Sequence, residues 1–182
     1  MLQEILFAGF GGQGVLSMGT MLAYAAMKDG LEVSWFPSYG PEMRGGTANC
    51  TVNISDKPIS SPVCTSFDIT VVLNLPSLKK FESRVKPDGI LIWESSIIKE
   101  PPQRSDIRSI PLPAIHIAAE ELKNVKVMNM VVLGALLKLK GIVRRESLSA
   151  AMRAALPERY HHLIPLNEQA IERGMELIDN GV

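Results

Sequence analysis

Short apolar blocks alternate with stretches of helical spacing through the first half of the chain. Residues 5–10 run Ile-Leu-Phe-Ala-Gly-Phe, a compact apolar block of the kind that makes a buried parallel strand. Leu16, Gly19, Thr20, Ala23 and Met27 then recur at helical spacing over residues 15–28, with small residues on the face that meets a sheet. Asp29-Gly30 closes that helix, because glycine takes the left-handed cap at little steric cost. Residues 32–36 give a second strand, so the opening reads as the start of a βαβ unit.

The period changes after a ten-residue segment, 37–46, that carries two prolines and three glycines. Over 47–54, Ala48, Cys50, Val52 and Ile54 alternate with Asn49, Thr51 and Asn53, which predicts a half-buried antiparallel strand. Residues 59–63 are expected to pair back on it after a turn at 55–58. Residues 68–73 read as another buried strand, and Pro76 opens a short helix where its missing N–H costs little. Residues 86–89 (Lys-Pro-Asp-Gly) are expected to turn the chain into a strand at 90–93. Polar residues 95–108 read as irregular, 109–112 as a short strand, and 115–122 as one or two helical turns. An apolar helix is expected over 129–141 with Asn129 as its cap, followed by amphipathic helices at 144–156 and 166–179. The result is an α/β fold, Rossmann-like, with a mostly parallel sheet flanked by helices, an antiparallel strand pair after the second strand and C-terminal helices. No repeat or linker divides it, so residues 1–182 read as a single domain.

Composition narrows the function. The chain of 182 residues carries 19 basic and 19 acidic side chains, and a neutral chain lacks the basic face that nucleic-acid binding needs. Mean hydropathy is +0.13, yet the most apolar stretch, 125–139, is broken by Lys126, Asn129 and Lys138, so no membrane span is expected. The first residues lack a basic leader and enter a strand at once, so a cytoplasmic location with reduced thiols is expected for Cys50 and Cys64. Two cysteines cannot by themselves complete a structural zinc site or an iron–sulfur cluster.

Gly9, Gly11 and Gly14 match G-x-G-x-x-G between a strand and a helix. Amides at a helix N-terminus, with the dipole behind them, favour an anion there; glycines that merely permit a tight turn are the plainer alternative. A P-loop is excluded, because Val15-Leu16 stand where the lysine and hydroxyl belong. A nicotinamide site needs an acid at the carboxyl end of the second strand, and Glu32 stands at its beginning, so a stand-alone NAD(P)-binding module is the second reading. His161-His162 reads as a solvated pair, Met18, Met21 and Met128 as core filling. No catalytic residue and no metal ligand is nominated.

Residues 8–15 (Ala-Gly-Phe-Gly-Gly-Gln-Gly-Val) and 35–50, with the string Tyr39-Gly40-Pro41-Glu42-Met43-Arg44-Gly45-Gly46, together resemble the gamma subunit of 2-oxoacid:ferredoxin oxidoreductases. The likeness runs on through 52–56, Ser61-Pro62, 74–78, 87–89 and Asn129-Met130, about three-quarters of the chain, and residues after about 144 carry none of its motifs. The wording of 35–39 is most similar to the 2-oxoglutarate and branched-chain branches. The resemblance implies a subunit that is inactive alone, in a hetero-oligomer with alpha, beta and delta (ferredoxin-like) partners. Thiamine diphosphate, magnesium and iron–sulfur clusters would sit on those partners, which pass electrons to ferredoxin or another acceptor. It implies oxidative decarboxylation of a 2-oxoacid, favoured as 2-oxoglutarate to succinyl-CoA, with coenzyme A held by Gly11, Gly12, Gln13, Gly14 and Arg44. Tyr39, Gly40, Glu42, Arg44 and Gly45 would form a subunit interface. A purely structural subunit is the remaining alternative.

Overall fold

The computed structural model describes residues 1–39 and 47–181. Six strands form one sheet in the order β2-β3-β1-β4-β5-β6: β1 (Leu2–Phe10), β2 (Glu32–Tyr39), β3 (Thr47–Ser55), β4 (Phe67–Val72), β5 (Val85–Glu94) and β6 (Arg108–Leu112). β1, β4, β5 and β6 run parallel, and β3 is antiparallel to both its neighbours. The expected α/β sheet is therefore present, with one adjustment to the opening unit. β3 inserts between β1 and β2, so β1 and β2 are not neighbours. It is an internal strand, antiparallel as expected, with Cys50, Val52 and Ile54 inaccessible on one face; on the other, Asn53 is 1% exposed while Asn49 and Thr51 are partly exposed.

Alternation along each strand makes two cores. On the first face, Ile5 and Phe7 join Val52, Val71 and Ile92 beneath α1 (Val15–Lys28), α4 (Met128–Lys140), α5 (Arg145–Ala155) and α6 (Ile164–Asp179). On the second, Leu6 and Ala8 join Phe67, Val72 and Leu91 beneath α2 (Leu75–Phe81), whose Leu78 and Phe81 point inward. The short α3 (Ala114–His116) runs into a wide turn, Ile117–Glu121, before α4. α4 and α6 cross at bare backbone: a Cβ on Gly134 would lie 2.0 Å from the carbonyl oxygen of Ile171, and one on Gly174 2.0 Å from that of Val131.

Three expectations are corrected. Residues 59–63 form no strand; Pro58 and Pro62 lack the N–H groups a ladder needs, and Asn53 Nδ2 donates instead to the carbonyls of Pro62 and Ser61, at 3.3 and 3.5 Å. Residues 86–89 are not a turn but part of β5, where Asp88 at φ 60° accompanies a shift in register. Asn129 is not a cap: α4 begins at Met128, and Asn124 caps the preceding turn, its side chain accepting from Lys126 N.

Candidate functional site

The crossover after β1 leaves over the first face, and that after β4 over the second. Their carboxyl ends are adjacent, since Ala8 pairs with Val72. That is a topological switch point, the place where open α/β sheets leave a crevice for a ligand. The 9–14 loop stands there.

Each member of the loop has a local reason. A Cβ on Gly9 would come within 2.7 Å of Gln13 Oε1 and 3.1 Å of Leu73 Cβ. Gly14, at φ 76°, starts α1 in a left-handed conformation and lies against Asn129, whose Nδ2 would be 2.5 Å from an added Cβ. Gly12 has φ 95° and nothing within 4 Å of its missing side chain, so its surroundings are open while its backbone resists substitution. Gln13 is a staple: its Oε1 accepts from Phe10 N at 2.7 Å, and its Nε2 donates to Leu73 O at 3.1 Å, across the crevice. Its polar atoms are engaged within the chain, so it shapes the loop. α1 has no side-chain cap and no acidic residue in its first turn, which leaves its terminal amides and dipole to whatever anion approaches.

Asn74, two residues past β4 and just before α2, was not among the residues the sequence singled out as a site. Its Oδ1 accepts from Ser77 N at 2.8 Å, while its buried Nδ2 has no partner among the described residues. The signal was present in the string Asn74-Leu75-Pro76, a cap followed by a proline in the first turn. Beyond it, Glu94 at the end of β5 is 1% exposed and accepts from Ser96 N and Ile115 N at 2.8 and 2.9 Å, tying the 95–96 turn to α3.

Tyr39 ends β2 and its backbone pairs with Ala48, which also pairs with Gly9. Tyr39 and Thr47, which flank residues 40–46, thus lie at the glycine-loop edge. Gly40, Glu42, Arg44 and Gly45 lie outside the described residues. The inserted β3 also bears on the nicotinamide reading. It moves the end of β2 two strand spacings, about 10 Å, from β1, and Glu32 is at the far end of β2, opposite Ser55.

The cysteines offer no thiolate. Burial pushes Cys50 up to about 12, and burial with the nearby Glu4 carboxylate pushes Cys64 up to about 11. Among the described residues no three His, Cys, Asp or Glu side chains converge as a metal site. His161 Nε2 lies 2.9 Å from Leu156 O, and His162 is exposed. Among the described residues, no helix is long and apolar enough to cross a membrane.

The family model for pyruvate ferredoxin/flavodoxin oxidoreductases matches residues 4–177. The chain belongs to that family. Over 97% of its length it superposes on the gamma subunit of a keto/oxoacid ferredoxin oxidoreductase from Geobacter sulfurreducens, with TM-score 0.84, 31% identity and 95% of that subunit covered. The likeness to gamma subunits that the 39–46 string carries thus extends to the whole fold. The 2-oxoglutarate synthase subunit KorC of Methanocaldococcus jannaschii is 36% identical over 87% of this chain and 86% of its own length. Other relatives are longer. The ketoisovalerate oxidoreductase subunit VorA of Methanothermobacter marburgensis is 37% identical over 95% of this chain, which spans only 36% of that protein. Likewise, all of the chain matches 32% of a 2-oxoglutarate:ferredoxin oxidoreductase from Magnetococcus marinus, solved with 2-oxoglutarate, coenzyme A and succinyl-CoA bound, at TM-score 0.89 and 25% identity.

Proposed function

We propose that this chain is the gamma-type subunit of a thiamine-diphosphate-dependent 2-oxoacid:ferredoxin oxidoreductase, and that its glycine loop binds coenzyme A. The observation that carries the second part is the position of the 9–14 loop at the switch point, ahead of an uncapped helix. The amides of Gly11, Gly12 and Gly14 and the α1 dipole hold one phosphate of coenzyme A. Arg44 holds another through its planar fork. Gln13 keeps the loop open by its staple. Tyr39, Gly40, Glu42, Arg44 and Gly45 form an interface with the partner subunits in this reading.

The substrate in this reading is 2-oxoglutarate, released as succinyl-CoA and CO2; the KorC relative and the Magnetococcus neighbour support 2-oxoglutarate, while the VorA relative points to a branched-chain 2-oxoacid as the alternative. Alpha, beta and delta partners supply thiamine diphosphate, magnesium and the iron–sulfur path to ferredoxin, in the cytoplasm. In this reading the bond-breaking and electron-transfer chemistry lies on the partners and not on this chain. Its work is to position a substrate.

The test is Arg44→Ala and Gly12→Asp in the reconstituted complex. A charge-assisted hydrogen bond contributes about 1.5–3 kcal/mol, so the KM for coenzyme A should rise about ten- to a hundred-fold, with CoA-independent CO2 release intact. An unchanged KM in both variants, with assembly confirmed, makes the loop a packing device. Micromolar binding of NADH to the chain would instead favour the nicotinamide module.

A further inference from the structure

At the opposite pole of the sheet, where β1 begins and β3 ends, a cavity of about 260 Å3 opens between the strands and residues 58–63. Glu4, Asn53 and Ser55 line its strand side and Ser60 and Ser61 its loop side. Leu2 and Val63, 49% and 66% exposed, also line it. Glu4 is opposite Asn53, and Asn53 opposite Ser34, so the cavity lies on the second face of the sheet. The strip of β2 and β3 beside it sends no residue into the second core, and Phe36, two residues along that strip from Ser34, is 48% exposed.

The charge in the cavity is one-sided. Among the described residues that line it, Glu4 alone is charged. Lys86 Nζ lies 2.6 Å from Glu4 and 2.9 Å from Asp68, so a single ammonium serves two carboxylates. The Met1 ammonium nearby is already paired with Asp56. Asn53 Oδ1 accepts from Cys64, and its Nδ2 is spent on the Ser61 and Pro62 carbonyls, which fixes the wall in place. The volume falls below the ~300–1,000 Å3 of pockets that take drug-sized ligands, and suits one long side chain. A lining that combines a carboxylate sharing its one ammonium with Asp68, serine hydroxyls and aliphatic side chains matches a cationic head on an aliphatic stem. The guanidinium does so best, since its five donors can meet the carboxylate and the hydroxyls together.

We infer that this cavity is a socket for an arginine side chain of a protein that docks on the uncovered strip of β2 and β3. Arginine in a desolvated pocket is among the side chains that dominate interfaces. The socket is about 25 Å from the glycine loop along the nine residues of β1, so it stands or falls apart from the coenzyme A site.

The full chain is titrated with the capped peptide acetyl-Gly-Arg-Gly-amide and with its norleucine counterpart, following backbone amide shifts. The arginine peptide should give saturable shifts at Asn53, Ser55 and residues 60–63 with a millimolar Kd, and the norleucine peptide none. Glu4→Gln should weaken binding about ten-fold or more. Ser60→Phe, which fills the cavity from an exposed position and leaves Glu4 in place, should abolish it; thermal melts establish that both variants fold. Equal shifts from norleucine, unchanged binding in either folded variant, or tighter binding of free arginine than of the capped peptide would overturn the docking socket.

Discussion

On the first face of the sheet, α4 and α6 meet with Gly134 and Gly174 against each other's backbone carbonyls, and the layer they form with α1 and α5 roofs the strands in apolar side chains. On the second face, one seven-residue helix and several loops cover β1, β4 and β5, held largely by side chains reaching for backbone. Arg84 donates to the carbonyls of Thr65 and Cys64 at 2.8 and 2.7 Å, with its guanidinium over Phe67 and Phe81. Arg104 donates to Glu82 O, and Asn53 ties down residues 61–62. Dense packing is cooperative and non-directional, so damage to the first face spreads. Polar ties are local, so the second face can keep a loop, a cavity and an open strip in place without a layer above them.

The sharpest way to break this contrast is Gly134→Ala. Alanine in a helix interior gains about 1 kcal/mol of propensity over glycine. Against that stands a Cβ 2.0 Å from a backbone oxygen, which no rotamer change can relieve. Forcing α4 from α6 opens voids along both helices, so a net loss of about 3 kcal/mol or more is expected, with Tm lower by about 10 °C. Gly174→Ala should act alike, because it meets Val131 O from the other side. Denaturant unfolding measures the loss, and hydrogen exchange should show it across the sheet.

Asn53→Leu tests the other face. The variant deprives the 61–62 carbonyls of their donor and Cys64 of its acceptor, but Ser61 and Pro62 are exposed, so water can replace the donor. The expected loss is about 1–2 kcal/mol. Exchange should rise at residues 58–64 and stay unchanged in α4 and α6. A sheet-wide response would mean that the faces are not independent.

How far each face is legible in the sequence follows from the same difference. The strands show as apolar blocks because both faces of the sheet are buried over β1, β4 and β5. The insertion of β3 does not, since periodicity reports which residues point inward and not which strand lies alongside. Gly134 reads as a weak spot in a helix until α6 is placed against it. Ile59 and Val63 have strand-like spacing, but Pro58 and Pro62 deny the ladder its donors, and the contact that replaces it comes from Asn53. The glycine loop was legible because strand, glycines and helix are consecutive. The staple of Gln13 to Leu73 was not, because sixty residues separate them. Asn129 sits where a cap would precede an apolar run; its role is to face Gly14.

Each face also carries a charged clasp, and the two respond to pH with opposite sign. Asp29, just past α1, stands in for the missing cap of α5: its Oδ2 accepts from Arg144 N at 2.7 Å and its Oδ1 from Arg144 Nε at 2.8 Å and from the Ser147 hydroxyl. Burial alone would raise its pKa, but the Ser147 hydroxyl and the Arg144 amide and guanidinium outweigh that and hold it below the ordinary 3.8. A depressed folded pKa contributes stability above the unfolded value, lost as pH falls through the folded one. For Lys86, burial pulls downward and the Glu4 and Asp68 carboxylates more than offset it, so its pKa lies above the ordinary 10.5. That contribution is present below the unfolded value and is lost as pH rises through the folded one. Asp29→Asn should cost about 1 kcal/mol at pH 6, in the range of a lost helix cap. The gap between wild type and variant should shrink once pH falls below about 3.8, and stay constant from pH 6 to 9. Lys86→Met should show a gap that narrows only above about pH 10.5. Denaturant midpoints across pH decide it, and a gap for Asp29→Asn that survives to pH 2 would mean that the carboxylate's charge contributes nothing to seating α5 on α1.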